Sequence, residues 1–314
     1  MVVVRSDAGG AEVHQLLCGR ELAADARGNL VHRFAAQMAN YVYLVVDRAA
    51  GAALAVDPAW DVQGLLATCE ELGVTLRAAA FTHRHFDHTG GIVPRSITGA
   101  AEDIRLPGVA DLLEAGVACY VGKRDAETVA SQAAIALDAL RAVEEGSVVR
   151  LTDAVSLHVL ETPGHTRGSV CFRLGSDAGD LLFTGDTLFI GSCGRVDLPE
   201  SNVGDMVLSL ARLAKLAEDT TVLPGHNYAM EAHSSIGGER TTNHMMMQAI
   251  ERERSRAGIG AEPVAAQLPL PDYLGVARSI WRSHSDHHDH QGDLPDTACA
   301  CPPLPPCRNL ESHF

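Results

Sequence analysis

The chain has 314 residues, of which 46% are hydrophobic, and a formal net charge of −15 at pH 7. Its length suits one large α/β domain with attachments or two small domains, and its hydrophobic fraction excludes a disordered composition. The acidic balance argues against nonspecific nucleic-acid binding, which needs clustered Lys and Arg, and the lack of any run of ~20 apolar residues argues against a membrane-spanning helix.

Strands and helices become recognisable after an opening segment, residues 1–39, which has an irregular pattern and is expected to be partly disordered. Residues 41–46 and 53–57 are apolar, β-branched runs on either side of a turn, which predicts a β-hairpin. Asp61 is placed to cap a helix with apolar residues at helical spacing, and residues 76–81 form the next strand. A strand–helix–strand unit of this kind places the residues that follow at the carboxyl end of a sheet.

The centre of the chain continues this alternation. A helix is predicted from Asp125, as its capping residue, to Gly146, because apolar residues between them recur at helical spacing. Three strands, an amphipathic helix and a last strand follow, at residues 155–159, 170–174, 181–183, 205–216 and 221–223. Two successive series of strands with interspersed helices predict two packed sheets with helices outside them.

The last third of the chain has a different character. Helical segments are predicted within residues 230–257 and 273–282, whereas the sequence from His284 is rich in His, Cys and Pro and has no apolar periodicity. The predicted organisation is an N-terminal segment (1–39), a main α/β domain (40–229), a helical extension (230–283) and a disordered tail (284–314).

The cysteines indicate the redox environment. Five of the eight, at positions 18, 69, 119, 171 and 193, stand singly in apolar segments. This spacing suggests no disulfide framework and predicts free, buried thiols in a reducing compartment, the cytosol or an organelle matrix. The opening residues contain no apolar run long enough for a secretory signal.

A cluster of histidines and a carboxylate follows the strand at 76–81. The segment 82–91 reads T-H-R-H-F-D-H-T-G-G and contains His83, His85, Asp87 and His88. Imidazole nitrogen and carboxylate oxygen are donors that zinc prefers. His83 and His85 point to the same side of an extended segment, because side chains alternate, whereas Asp87 and His88 can diverge toward a second ion. The cluster therefore predicts a site for two metal ions.

Three single residues supply further donors, and each follows a predicted strand. They are His165 in T-P-G-H-T, Asp186 in T-G-D-T and His226 in P-G-H-N. Each motif alone is weak, but a series of Gly-flanked donors at successive strand ends is specific. Together with the first cluster, these residues complete two sites.

The motifs resemble those of the metallo-β-lactamase superfamily, and within it the glyoxalase II-like group of hydroxyacylglutathione hydrolases. The resemblance covers roughly residues 40–243 and includes V-D-P at 56–58 and G-S-C-G-R-V-D-L-P at 191–199. It implies a four-layer αββα sandwich with the site between the ends of two sheets. The implied donors are His83, His85 and His165 for one ion, Asp87, His88 and His226 for the other, and Asp186 as a bridge between them.

The implied cofactor is a pair of divalent ions, with zinc expected and iron or manganese as alternatives. Such a pair lowers the pKa of a shared water, so that a bridging hydroxide can attack a carbonyl carbon at neutral pH. The implied reaction is hydrolysis of a thioester, an acylated glutathione, whose thiolate is a good leaving group. Asp87 is also the candidate proton acceptor, and Asp186 is catalytic as the bridge.

The candidates for substrate binding are Arg195 and Tyr228, which lie close in sequence to predicted ion donors, and Arg240. An acylated glutathione is anionic, so this acidic chain needs a local cation near the ions to hold it. Arg195 has an alternative role, in which it pairs with Asp197 or Glu200 and only fixes its loop.

Two other functions are compatible with the motifs. The G-R-x-D form of the loop at 194–197 is shared with persulfide dioxygenases, relatives whose single iron would be held here by His83, His165 and Asp186. The complete set of seven donors favours the hydrolase, because a single iron does not need all of them. A protein of the same fold that binds without catalysis is disfavoured by the intact donors.

Overall fold

The computed structural model describes residues 2–5, 11–24, 29–175 and 179–256. The strands within them are β1 (Val2–Arg5), β2 (Ala11–Leu17), β3 (Tyr41–Asp47), β4 (Ala52–Val56), β5 (Thr75–Phe81), β6 (Gly91–Val93), β7 (Ile104–Leu106), β8 (Ala118–Gly122), β9 (Arg141–Val143), β10 (Val148–Arg150), β11 (Ser156–Glu161), β12 (Val170–Leu174), β13 (Leu181–Gly185), β14 (Thr221–Pro224) and β15 (Ser234–Ser235). The helices are α1 (Leu30–Met38), α2 (Val62–Glu71), α3 (Phe86–Thr89), α4 (Arg95–Thr98), α5 (Val109–Glu114), α6 (Ala126–Ala133), α7 (Val203–Leu213), α8 (Ile236–Thr242) and α9 (His244–Arg256).

The strands form two large sheets and one small one. The first sheet has the order β1-β2-β3-β4-β5-β8-β9, the second has the order β10-β11-β12-β13-β14-β15, and β6 pairs with β7 separately. The pairs β4–β5, β5–β8, β8–β9 and β13–β14 are parallel. Parallel neighbours end at the same edge of a sheet, so the loops that follow them gather there.

Side chains alternate between different cores along the central strands, because successive residues of a strand point to opposite faces. Tyr43 of β3 and Phe183 of β13 lie in the core between the two sheets. Leu44 of β3 faces the other way and packs in the core under α2, α5 and α6. Leu182 of β13 lies in a third core, under α7 and α9. The predicted four-layer αββα sandwich is therefore confirmed.

The opening segment differs from the expectation, because it is part of the first sheet. β2 pairs antiparallel with β3 along its whole length, from Ala11 with Asp47 to Leu17 with Tyr41. The expected boundary at residue 40 is thus not a structural one. β2 escapes recognition because His14 and Gln15 are polar and yet 2% exposed, which hides the apolar alternation of a strand.

The helix predicted from Asp125 to Gly146 is wrong in its second half. α6 ends at Ala133, since Ala134 adopts a left-handed conformation with φ 55°. A short 3-10 turn, Leu137–Ala139, follows, and β9 then pairs with β8 at the edge of the first sheet. Tertiary pairing overrides the helical spacing of the apolar residues here.

The helical extension predicted from residue 230 has its first helix only from Ile236, because β15 first pairs with β14 of the second sheet. Met246 and Ala249 of α9 are fully buried with α7 in the third core. The predicted helix at 273–282 and the tail at 284–314 lie outside the described residues. Within the described ranges, no helix has the length and apolar character needed to cross a bilayer.

Candidate metal centre

Seven side chains converge at the edge where the two sheets meet. The loop after β5 supplies His83 and His85, α3 supplies Asp87 and His88, and the loops after β11, β13 and β14 supply one each. Three sets have donor atoms within 4.8 Å of one another, namely His83–His85–His165, His83–His88–Asp186 and Asp87–His88–His226. We refer to the first as the three-histidine group and to the last as the Asp87 group. The structure thus brings all seven predicted donors together.

The three-histidine group presents three ring nitrogens to one point. Nδ1 of His85 lies 3.0 Å from Nε2 of His83 and 2.9 Å from Nε2 of His165. Nδ1 of His165 donates to the carbonyl oxygen of Arg195 at 2.8 Å, which leaves Nε2 unprotonated in the neutral ring. The imidazole of His83 is oriented in the same way, since its Nδ1 lies 3.1 Å from the hydroxyl of Thr82.

Burial keeps these three imidazoles neutral. It lowers the pKa of His83 well below its ordinary value, with a further contribution from the nearby charge of His88. Burial likewise lowers the pKa of His85 to about 3 and lowers the pKa of His165. Neutral imidazoles have a free lone pair, so this group is chemically suited to hold a cation.

The Asp87 group combines a carboxylate with two imidazoles. Nε2 of His88 lies 3.2 Å from Nε2 of His226 and 3.3 Å from Oδ2 of Asp87. The other ring nitrogen of each histidine is occupied, because Nδ1 of His226 donates to the Met38 carbonyl at 2.8 Å and Nδ1 of His88 lies 2.9 Å from Oδ2 of Asp57. The Nε2 atoms are therefore the ones that face the common point.

The electrostatics of the Asp87 group differ from those of the three-histidine group. Burial opposes charge on His88, but the carboxylates of Asp87, Asp186 and Asp57 outweigh it and raise the pKa of His88 well above its ordinary value. Burial also opposes charge on His226, whose pKa is raised by Asp186. A cation that binds here replaces these protons, because a metal-bound imidazole nitrogen carries none.

Asp186 lies between the two groups. Its Oδ2 is 3.4 Å from Nε2 of His165, and its Oδ1 is 3.3 Å from Nε2 of His226. Oδ1 is buried and makes no hydrogen bond of good geometry, which is costly for a carboxylate oxygen. Gly225 allows the close approach, because a Cβ there would lie 2.6 Å from Oδ1. An orphaned carboxylate oxygen among imidazole nitrogens fits a divalent cation in each group.

Asp57 supports both groups, although its local sequence does not predict this role. Its Oδ2 accepts the Thr82 hydroxyl at 2.7 Å, so that Thr82 connects it to His83, and it also contacts Nδ1 of His88. Asp57 is 3% exposed and has φ 53°, an unusual backbone conformation for a residue other than glycine. The available signal was an acidic residue between a buried strand and Pro58.

Asn40 and Trp60 form a second support that the sequence did not reveal. Asn40 Nδ2 donates to Oδ2 of Asp87 at 3.0 Å, and Trp60 Nε1 donates to Asn40 Oδ1 at 3.1 Å. The indole fixes which end of the amide faces Asp87, because it can only donate. Both residues are 1% exposed.

The three predicted substrate residues lie in different settings. Tyr228 stacks on His226, with ring centroids 4.6 Å apart and an interplanar angle of 12°. The guanidinium of Arg195 makes a bidentate pair with Asp197, at 2.8 and 2.9 Å, which is the alternative role considered for it.

Arg240 differs from the expectation. It pairs with Glu218 at 3.1 Å, and Glu218 precedes the start of β14, whereas His226 follows the end of that strand. Among the described contacts, Arg240 makes none with the seven donors.

Comparisons with known proteins agree with this geometry. The family model described as the metallo-beta-lactamase superfamily matches residues 37–226. A hydroxyacylglutathione hydrolase of Rhodospirillum rubrum is 35% identical over 270 residues, which cover 83% of this chain and 89% of that protein. A probable polyketide biosynthesis zinc-dependent hydrolase of Bacillus velezensis is 30% identical over 190 residues, 60% of this chain and 73% of that protein. The crystal structure of ETHE1 from Myxococcus xanthus is 26% identical, with a TM-score of 0.54, over 79% of this chain and 95% of that one.

Proposed function

The chain belongs to the metallo-β-lactamase superfamily, and we propose that this metallohydrolase cleaves a thioester, with an acylated glutathione as its substrate. The names of the similar hydrolases support both the metal dependence and the substrate class. The five described cysteines are free and buried, which agrees with a reducing compartment such as the cytosol, where glutathione occurs.

The observation that carries the proposal is the position of Asp186 between the two groups. One carboxylate oxygen faces His165 and the other faces His226, so a single residue can serve both groups. This supports a pair of divalent cations, with the three-histidine group and the Asp87 group holding one each and Asp186 bridging them. Zinc suits a set of imidazole and carboxylate donors, and iron or manganese would also be accepted by it.

Two cations bound here would supply a water of lowered pKa and a Lewis acid for the thioester carbonyl. We assign the proton released in the attack to Asp87. Asn40 keeps the carboxylate in place by donating to Oδ2. The thiolate leaves without a proton, so the reaction requires no general acid from the chain.

We assign substrate binding to Arg195 and Tyr228. The side chain of Arg195 is 49% exposed, and its partner Asp197 is also partly exposed. Exposed ion pairs contribute only about 0–1 kcal/mol, so the guanidinium can exchange Asp197 for a substrate carboxylate at little cost. The backbone carbonyl of Arg195 contacts His165, which keeps this loop next to the three-histidine group. Tyr228, against His226, offers an aromatic face on the side of the Asp87 group.

An iron persulfide dioxygenase is the second candidate, because it requires only His83, His165 and Asp186. The G-R-x-D loop favours it, and the presence of Asp87, His88 and His226 as a compact group argues against it. The hydrolase therefore requires His226, whereas the dioxygenase does not.

The deciding experiment uses protein purified without added metal. We expect two divalent ions per chain, hydrolysis of an S-acylglutathione, and no oxygen uptake with glutathione persulfide. The variant His226→Ala should lose one ion and most of the hydrolysis. One iron per chain, with oxygen uptake that persists in His226→Ala, would replace the hydrolase with the dioxygenase.

A further inference from the structure

Asp125 stands where a helix cap is expected, yet it does not cap the helix. It directly precedes α6, and its side chain makes no hydrogen bond to the first turn of that helix. The residue is nevertheless 1% exposed. A buried carboxylate must find other donors, and the ones that it finds lie far away in sequence.

The carboxylate accepts three hydrogen bonds from two loops. Oδ2 accepts from the backbone N–H of Arg84 at 3.0 Å and from the hydroxyl of Thr166 at 2.6 Å. Oδ1 accepts from the backbone N–H of Gly168 at 3.0 Å. Arg84 lies in the loop after β5 of the first sheet, whereas Thr166 and Gly168 lie in the loop after β11 of the second sheet. Asp125 therefore joins the two sheets at this edge.

These two loops carry the whole three-histidine group. Arg84 stands between His83 and His85, and Thr166 follows His165. A shift of either loop would change the distances of 3.0 and 2.9 Å that separate Nδ1 of His85 from the other two ring nitrogens. The Asp87 group has no corresponding bond to Asp125 among the described contacts, and its histidines are held by Asp57 and Met38 instead.

The backbone around Asp125 is packed so closely that neither Gly168 nor Gly122 could carry a side chain without a shift of its neighbours. A Cβ on Gly168 would lie 2.5 Å from Cγ of Asp125, and a Cβ on Gly122 would collide with the carbonyl oxygen of Gly168. The guanidinium of Arg84 pairs with Glu200 at 2.9 Å, and no described ion pair joins it to Asp125. Two glycines and three neutral donors thus make a tight junction around one carboxylate.

We propose that Asp125 is a positioning residue for the three-histidine group, and that it sets the cation affinity of this group without setting that of the Asp87 group. The inference rests on the proposed role of the histidines as ligands of a cation and is independent of the substrate. Residues that orient metal-binding histidines change metal affinity by roughly 10- to 100-fold when they are replaced. The effect here acts through the backbone of the two loops.

The test is a calorimetric titration of the full-length, metal-stripped protein with Zn²⁺ in the presence of a competing chelator. Asp125→Asn should weaken one of the two binding events by roughly 10- to 100-fold and leave the other within about twofold. His165→Ala identifies which event belongs to the three-histidine group. Asp61→Asn is the matched control, since Asp61 also stands at a helix start and accepts bonds from the N–H groups of Gly64 and Ala23, but touches neither loop.

A Co²⁺ titration gives a second readout, because the visible absorption of Co²⁺ reports the coordination of each site. The band that His165→Ala abolishes should weaken and shift in Asp125→Asn, while the other band stays unchanged. Thr166→Val removes one of the three hydrogen bonds to Asp125 and should show a smaller change at the same site. If Asp125→Asn does not fold, the titration of Thr166→Val tests the proposal in its place. Equal weakening of both events, or of neither, overturns the proposal. Wild-type protein that binds two ions but hydrolyses no thioester would defeat the proposed function and leave this inference standing.

Discussion

The carboxylate of Asp57 lies 2.9 Å from Nδ1 of His88. The same oxygen accepts the hydroxyl of Thr82, which in turn lies 3.1 Å from Nδ1 of His83. One buried carboxylate therefore fixes the orientation of one histidine in each group. Asp125 differs from Asp57, because its hydrogen bonds go only to the two loops that carry the three-histidine group.

Replacement of Asp57 should accordingly affect both ions. In Asp57→Asn an amide N–H can face Nδ1 of His88, which favours the tautomer with a protonated Nε2 and so opposes cation binding. We expect both Zn²⁺ dissociation constants to rise by roughly 10- to 100-fold, as measured by competitive titration. A loss confined to one ion would show that the connection through Thr82 does not matter.

Asp186→Asn should damage both groups together, because a neutral amide bridges two cations poorly. We expect nearly complete loss of thioester hydrolysis and a fall in metal content from two ions per chain, with the fold retained by circular dichroism. Asp180→Asn is a suitable control, since Asp180 pairs with Arg173 near the other end of β13. Two ions and normal turnover in Asp186→Asn would remove the bridging assignment.

Arg195→Ala should chiefly raise KM for glutathione thioesters, because it removes binding shared by the ground and transition states. Activity toward a small uncharged thioester should barely change. Arg240→Ala serves as the control, given its pairing with Glu218, and should alter neither substrate. Equal losses on both substrates in Arg195→Ala would assign the residue to fixing its loop through Asp197.

Removal of the ions should destabilise the whole domain. Each group draws donors from loops of both sheets, and an ion at a thousandfold excess over its Kd stabilises the folded state by about 4 kcal/mol. We expect a strong chelator to lower Tm on the order of ten degrees, measured by scanning calorimetry, and Zn²⁺ to restore it. An unchanged Tm would mean that the folded chain binds these ions no more tightly than the unfolded chain does.

Truncation after Ser283 should leave turnover and Tm little changed. The removed segment contains the run H-S-D-H-H-D-H and lies outside the described residues. Clustered histidines can bind further metal ions, so the truncated protein should lose only ions in excess of two per chain. A large fall in activity would show that the tail contributes to the site.

The parts of the fold that sequence predicts well are those with local signals. The hairpin of β3 and β4 alternates between two cores, and Asp61 caps α2 through Gly64 as expected. The donor cluster after β5 was equally clear, because four residues of the right chemistry stand together.

The parts that sequence misses depend on contacts between distant residues. His14 and Gln15 make β2 look polar, although Gln15 is buried against Tyr43. Asp57 and Asp125 look like ordinary turn and cap residues, and their roles follow from partners at least 25 positions away. Local pattern therefore predicts the seven side chains that the structure brings together, but not the residues that hold them in place.

The division of donors between the two sheets also bears on when the proposed ion sites would form during synthesis. A nascent chain that has reached only the end of the first sheet carries His83, His85, Asp87 and His88. The three-histidine group still lacks His165, and the Asp87 group still lacks His226. The three-histidine group needs the loop after β11 and the Asp87 group needs the loop after β14, so the two sets do not both exist until the second sheet has formed. If the two groups hold cations as proposed, ion binding would therefore follow the formation of the second sheet.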